Sequence, residues 1–420
     1  MGPMTSSGED IRRIQVALDA RVLQQALNNS PDGGLGGPGR YAHELLKTLR
    51  GHDVEFMLLV DHGPLPPRLR DLIASTNRFR LCRVGLGGRL PRRLVHGRAT
   101  ALVGRMEAPL LDHQIRTMGP SVVHLVDQPP PRLRIRPRIV TLHDLGPASA
   151  ESYEVESFAP GGIGRSRLAD VRSADVVISV SEATRNDALR VLGIAPDRME
   201  VIHPGVDTRR FTPGPVDGIR QILGIPEHAG YFLHVGVLRE RKNPAALLHA
   251  FRRLAASFED LHLVCVGPYQ TSLDATRKVR ALAVELGIET RVHLAGDLPD
   301  ETLVRVYRGS LGLVFPSLYE GFGFPVVEAL ACGIPVVAAD NSSLPEVGGD
   351  LAVLVDARDH GAVAAGMTRL VADDQLRRRV RAAGPEWARR FSWAASADRI
   401  HDLYVELAAK THGPRASRGG

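Results

Sequence analysis

Phe315-Pro-Ser-Leu-Tyr-Glu320-Gly-Phe-Gly-Phe-Pro325-Val-Val-Glu328-Ala-Leu-Ala-Cys-Gly333-Ile-Pro-Val-Val337 is the stretch that decides how this chain folds. Apolar runs flank it, Leu311 to Phe315 before and Ile334 to Ala339 after, and both read as buried parallel strands. Pro325 suits the first helical position, because its fixed φ fits and its missing N–H would have no partner there. The unit is therefore strand, glycine-rich turn, short helix, strand. Glu320 lies in the turn and Glu328 in the opening turn of the helix. Amides of Gly321 and Gly323, backed by the positive end of the helix, make a cradle for an anion such as a diphosphate. The two carboxylates then address hydroxyls. Two glutamates alone would equally suit a capping arrangement on a solvated edge; the Gly-Phe-Gly-Phe-Pro between them is more specific.

The same alternation surrounds this unit. Tyr231 to Val235 reads as a strand that runs through Gly236 to Arg241-Lys242-Asn243-Pro244 and a helix from Ala245 to Ala256. Leu261 to Val266 is the next strand, ending at Gly267, and Arg291 to Leu294 leads through Gly296-Asp297-Leu298-Pro299 into a helix from Asp300. Strands separated by helical segments predict a doubly wound parallel sheet, with its ligand crevice at the carboxyl edges of the strands. Arg241 and Lys242 fall in that crevice. Two cations there fit a diphosphate whose charge grows as it leaves, and a solvated basic pair is the alternative.

The first half repeats the pattern. Ile14 to Ala20, Val54 to Val60, Arg78 to Val84, Ser121 to Leu125, Arg138 to Leu142 and Ala174 to Val180 read as strands, and Arg40 to Arg50 as a helix. Gly34, Gly36 and Gly39 satisfy G-x-G-x-x-G, but a dinucleotide fingerprint needs a tight turn straight after the strand. A mobile glycine loop containing Gly36, Gly37 and Gly39, facing a cleft and feeding a helix N-terminus, is the better reading. His143-Asp144-Leu145 follows a strand's carboxyl end, and Gln128-Pro-Pro-Pro-Arg132 is a stiff connection. Pro, Gly and Asp crowd the segment from Pro204 to Pro215, the composition of a linker. The expected organisation is a tail at 1–13, one domain at 14–214, a second at 215–385, a helix at 386–410 and a disordered tail at 411–420.

Composition narrows the classes. The chain of 420 residues is 44% hydrophobic and 24% charged, as in soluble globular proteins, and no apolar run approaches a membrane span. Met1 to Arg13 lacks the apolar core of a signal peptide. Cys82, Cys265 and Cys332 have no metal-type spacing, which predicts reduced thiols in a cytoplasmic protein. No Asp-x-Asp motif or His/Cys cluster suggests a metal site, and no cofactor is expected. Between Asp61 and Arg138 stand 15 Arg, no Lys and five acidic residues. That surplus suits an anionic acceptor or the inner face of a membrane, unless it is ordinary solvated surface. Nucleic acid is not an expected partner, because aromatics are only 5% and none interleave with these arginines.

Glu320 and Glu328 in E-x7-E spacing, Gly39-Arg40-Tyr41, His143-Asp144-Leu145, Pro204-Gly-Val-Asp207 and Arg241-Lys-Asn243 resemble the retaining glycosyltransferases of family 4. The likeness runs from Gly36 through the terminal helix. It implies the GT-B fold: two Rossmann-like doubly wound domains, a cleft between them, and a C-terminal helix crossing back to the first domain. It further implies metal-independent transfer of a sugar from a nucleotide diphosphate sugar, with GDP-mannose the first choice and a UDP-sugar the runner-up. A glycan, a lipid-linked carrier or a small molecule would be the acceptor. In this reading Glu320, Arg241, Lys242 and His143 are catalytic. Gly236, Gly267, Asp297, Leu298, Gly321, Phe322, Gly323, Phe324 and Glu328 join Glu320, Arg241 and Lys242 around the donor, with Glu328 on its ribose. Gly36, Gly37, Gly39, Arg40, Tyr41, His124, His143 and Asp144 form the acceptor side of the cleft, with a place in the core an equal alternative for His124. Two departures from the family pattern are Val126, where some members have a second histidine, and Val237, where many have an arginine that Arg239 would have to replace. A nucleotide-sugar epimerase on the same fold and an inactive nucleotide-binding partner protein remain as alternatives.

Overall fold

The computed structural model describes residues 14–29, 35–84, 99–127, 133–146 and 171–412. Its first sheet has β1 (Ile14–Asp19), β2 (Val54–Val60), β3 (Phe79–Arg83), β4 (Val122–Leu125), β5 (Arg138–Leu142), β6 (Val176–Ser179) and β7 (Met199–Val201), in the order β3-β2-β1-β4-β5-β6-β7. Its second has β8 (Gly230–Val235), β9 (Leu261–Val266), β10 (Val292–Gly296), β11 (Gly312–Phe315), β12 (Val336–Ala339) and β13 (Ala352–Val355), in the order β10-β9-β8-β11-β12-β13. Every pairing is parallel; Ala17 stands opposite Met57 and Val123, and Leu233 opposite Val264 and Leu313. Helices cover both faces, so the strands are apolar almost throughout. Chain order reverses between β1 and β4 and between β8 and β11. Loops leaving the carboxyl ends diverge there and leave a crevice in each sheet. The two crevices face one another.

Pro67–Ala74, Leu273–Glu285, Ala352–Val355 and His360–Ala372 add elements to the sequence reading, and three further differences bear on the cleft. Arg21–Asn29 is an additional helix, and the helix expected from Arg40 runs over Gly36–Leu49. Gly36, Gly37 and Gly39 are therefore its first turn and not a loop. Gly39 has a packing reason, since a Cβ there would lie 2.6 Å from Cβ of Ala26 on the preceding helix. At the end of the chain, the single helix expected over 386–410 is two: Asp374–Ala388 and Trp393–His412. Ser392 separates them, its carbonyl accepting from the amide of Ser396 at 3.0 Å. The first of the pair packs on the helix Phe324–Ala331, and the second returns to the helix Gly36–Leu49, β1 and β4. The tail expected from Thr411 thus begins inside a helix. The tail at 1–13, residues 413–420, the 128–132 connection, Gly34 and the part of the basic stretch at 85–98 lie outside the described residues.

The two halves are in tight contact. A Cβ at Gly321 would lie 1.8 Å from the carbonyl oxygen of His143, so only glycine permits this approach. Thr184 donates from the first half to the Gly321 carbonyl at 3.2 Å, and the Glu346 carboxylate of the second half accepts from the Glu182 amide at 3.0 Å. Tyr319 donates to Asp187 at 2.9 Å.

Candidate active site

One cavity occupies the junction of the two crevices. On the second-sheet side it is lined by every residue singled out around the donor: Gly236, Arg241, Lys242, Gly267, Asp297, Leu298, Glu320, Gly321, Phe322, Gly323, Phe324 and Glu328. Arg241 and Lys242 end a short 3-10 turn after β8, and Asn243, in a left-handed conformation with φ 55°, caps the helix Pro244–Ala255. Glu320 leaves β11 and turns back onto both cations. Lys242 Nζ donates to Glu320 Oε1 at 2.5 Å, and Arg241 Nη1 to Oε2 at 3.2 Å and to the Tyr319 carbonyl at 2.7 Å. The Lys242 ammonium also lies 4.5 Å from the ring centroid of Phe315. Burial works to raise the Glu320 pKa, but attraction to Lys242 and Arg241 with the hydrogen bond from Lys242 outweighs it, leaving the carboxyl below its ordinary value. Burial pulls the Lys242 ammonium down, with Glu320 opposing it. The cations read as phosphate ligands are therefore already held by a carboxylate, an arrangement the sequence did not disclose.

Glu328 is 2% exposed and accepts from Tyr307 Oη at 2.7 Å and from Arg40 across the cleft. Val237 and Arg239 both line the cavity, and Arg239 Nε donates to Ser272 Oγ at 2.9 Å.

On the first-sheet side Gly36, Gly37, Arg40, His143 and Asp144 line the cavity. His143 Nε2 lies 2.7 Å from the Val126 carbonyl, which can only accept, so the imidazole carries its proton there. Its ring meets the edge of Tyr41 at a centroid distance of 4.9 Å. Burial raises the Asp144 carboxyl above its ordinary range, with Arg241 opposing and Glu320 adding to it.

Three residues expected on this side are elsewhere. His124 is fully buried, its Nδ1 2.7 Å from Tyr404 Oη and its Nε2 2.9 Å from Thr141 Oγ1, and burial pushes its pKa down to about 3. It is a core histidine. Tyr41 is also fully buried, 3.4 Å from Thr141 Oγ1, and Gly39 packs on Ala26. The terminal helix packs over His124, the helix Arg21–Asn29 over Gly39, and the rings of His143 and Trp393 flank Tyr41. Sequence reasoning missed Asp300, Leu303 and Pro204 in the cavity lining. Asp300, the first residue of its helix, was placed but given no role; its pairing with Arg40 and Arg210 has no local signature.

Of the basic stretch, Arg138 is buried, while Arg78 and Arg136 pair with Asp53 and Asp175 at 2.9 and 2.6 Å. Part of the apparent surplus is thus internal. Among the described residues no group of three or more His, Cys, Asp and Glu stands in a metal-binding arrangement. No described helix is long and apolar enough to cross a membrane.

Against this geometry, comparisons with known proteins agree. The profile described as "Glycosyltransferase Family 4" matches residues 35–210, and that described as "Glycosyl transferases group 1" matches residues 216–387. D-inositol 3-phosphate glycosyltransferase from Corynebacterium efficiens is 35% identical over 281 residues, which are 64% of this chain and 66% of that protein, just under two thirds of its length. O-antigen chain mannosyltransferase B from Escherichia coli is 28% identical over 381 residues, 86% of this chain and 93% of that protein. Sucrose-phosphate synthase from Thermosynechococcus elongatus superimposes with a TM-score of 0.75 at 24% identity, over 95% of this chain and 100% of the other, and so shares the two-domain fold.

Proposed function

The chain belongs to the group 1 glycosyltransferases of family 4, and from that premise we propose that it transfers a hexosyl group from GDP-mannose to an acceptor hydroxyl with retention of anomeric configuration. The observation that carries this reading is the cluster of Arg241, Lys242 and Glu320 in the same cleft as Glu328. Glu320 faces the sugar, Glu328 the ribose hydroxyls, and the two cations with the amides of Gly321 and Gly323 the diphosphate. The acceptor oxygen bonds to the anomeric carbon as the bond from that carbon to the phosphate oxygen breaks. That phosphate oxygen takes the acceptor's proton, and the nucleoside diphosphate leaves. Negative charge grows on the leaving group, where Lys242 and Arg241 are oriented in advance by Glu320. His143 and Asp144 meet the sugar and acceptor from the opposite face. The acceptor is a glycan, a lipid-linked carrier or a small molecule. Support for the mannosyl donor is the match to a mannosyltransferase along 86% of the chain.

Thermal unfolding with GDP, UDP, ADP and TDP tests the donor. A ligand at 100 times its dissociation constant stabilises the folded state by about 2.7 kcal/mol. A GDP-selective shift, followed by acceptor-dependent release of GDP from GDP-mannose, is expected. A UDP-selective shift replaces the donor, turnover without acceptor replaces transfer with isomerisation, and no shift with any nucleotide sinks the reading.

A further inference from the structure

Glu328 is gripped from both halves of the molecule. Tyr307, on the helix Asp300–Gly309, donates to Oε2 at 2.7 Å, while Arg40, on the helix Gly36–Leu49, donates through Nη1 to Oε1. The carboxylate is 2% exposed and Arg40 22%. Arg40 is itself fixed: its Nη2 lies 3.7 Å from Asp300 Oδ1, and its guanidinium carbon 5.9 Å from the ring centroid of Phe324 and 6.0 Å from that of Phe211. Asp300 in turn pairs with Arg210. A carboxylate so far removed from water needs a partner charge to stay ionised. It also has about four lone-pair sites, of which Arg40 and Tyr307 take one on each oxygen. One site on each oxygen is left, which suits a pair of neighbouring hydroxyls.

We propose that Arg40 is a positioning residue for the nucleotide ribose, acting through Glu328. It holds the Glu328 carboxylate charged and in one plane, so that its two remaining acceptor sites meet the 2′ and 3′ hydroxyls together. Because Arg40 belongs to the opposite half, the ribose site is complete only when the cleft is closed. The inference rests on Glu328 being the ribose ligand, as in the function proposed above.

Calorimetric titration of the full chain with GDP and with 2′,3′-dideoxy-GDP separates the two, using the UDP pair instead if the thermal scan selects UDP. The wild-type protein is expected to prefer the ribonucleotide about tenfold or more, the scale of hydrogen bonds to a charged group. Arg40→Ala lowers that preference to about threefold or less by weakening the ribonucleotide alone. Arg40→Lys, which keeps the charge but loses the planar fork, falls between. Glu328→Gln also loses the preference, and adding Arg40→Ala to it lowers the preference no further, as expected for two residues acting as a unit. A merely structural role weakens both nucleotides equally and leaves their ratio at the wild-type value; that result overturns the proposal while the donor reading stands. Should Arg40→Ala fail to fold, an unchanged ratio in Arg40→Lys has the same force. A wild-type protein that binds both nucleotides equally removes the ribose role of Glu328 and the proposal with it, whereas one that binds neither removes the donor reading as well.

Discussion

The two faces of the cleft are built on different principles. The second-sheet face is a charged cluster whose members touch one another: Glu320 holds Lys242 at 2.5 Å and Arg241 at 3.2 Å, all within loops at the ends of β8 and β11. The first-sheet face is a shelf supported from below. His143 reaches the cavity, and beneath it Tyr41, Thr141, His124 and Tyr404 form a buried polar chain that ends on the terminal helix. On one face the side chains proposed for the chemistry also carry the charge pairing; on the other a layer separates His143 from the buried network. Substitutions should therefore couple the two properties on the donor face and uncouple them on the acceptor face.

Lys242→Ala should give the largest effect. It leaves the buried Glu320 with Arg241 as its remaining cation, which predicts a loss of about 3 kcal/mol in a urea titration. Turnover should fall about 100-fold or more, measured as nucleoside diphosphate release. A variant as stable as wild type would show that the donor-face cluster is not a desolvated pair.

On the opposite face the two histidines should divide the effects. His143→Ala is expected to lower turnover about tenfold or more while the urea midpoint hardly moves. His124→Ala should lose about 2 kcal/mol of stability, through unpaired Thr141 and Tyr404 hydroxyls, with turnover of the folded protein unchanged. Loss of turnover in both would erase the layered description.

A last test compares one buried histidine from each half. Burial pushes His124 from the ordinary 6.5 down to about 3 and His234 down to about 4. Both folded values lie below the unfolded value, so as pH falls the unfolded chain takes the proton first. Stability is complete above about pH 6.5 and is lost below it at about 1.4 kcal/mol per pH unit for each histidine. The depressed Glu320 carboxyl has the opposite limit, its contribution being present above about pH 4.3 and lost as pH falls through its folded value. Urea midpoints between pH 7 and 5 avoid Glu320, but His262 and His293, whose pKa values burial also lowers, add to the slope, and the raised Asp144 and Asp61 carboxyls oppose it. His124→Asn and His234→Asn should each make the slope shallower, and a slope left unchanged by both substitutions contradicts the assignment.

The convergence of the second-sheet residues on one cavity was legible because its parts are close in sequence. Glu320, the two glycines and Glu328 fall within one turn and one helix, and the helix-start and strand-end signals that locate them are local. Arg241 and Lys242 were placed by the same logic, at the end of a strand. On the first-sheet side the same signals located Gly36, Gly37, Arg40, His143 and Asp144 in the cavity lining but carried Gly39, Tyr41 and His124 with them. Neighbours in sequence on a helix or strand point to different sides, and one side of each element here faces the core.

By itself, then, the sequence determined two parallel sheets, their strand-end loops and the charged residues those loops carry. These follow from apolar period and from glycine and proline punctuation, which act over a few residues. Which of those residues meet is set by the assembled fold. Arg40 and Glu328 are 288 positions apart, and His124 and Tyr404 are 280 apart. Whether a histidine is a ligand or a core residue depends on what packs over it, and here the covering element is the helix Trp393–His412, the last in the described chain. Burial and charge pairing are properties of the assembled fold, set by contacts that no local pattern encodes.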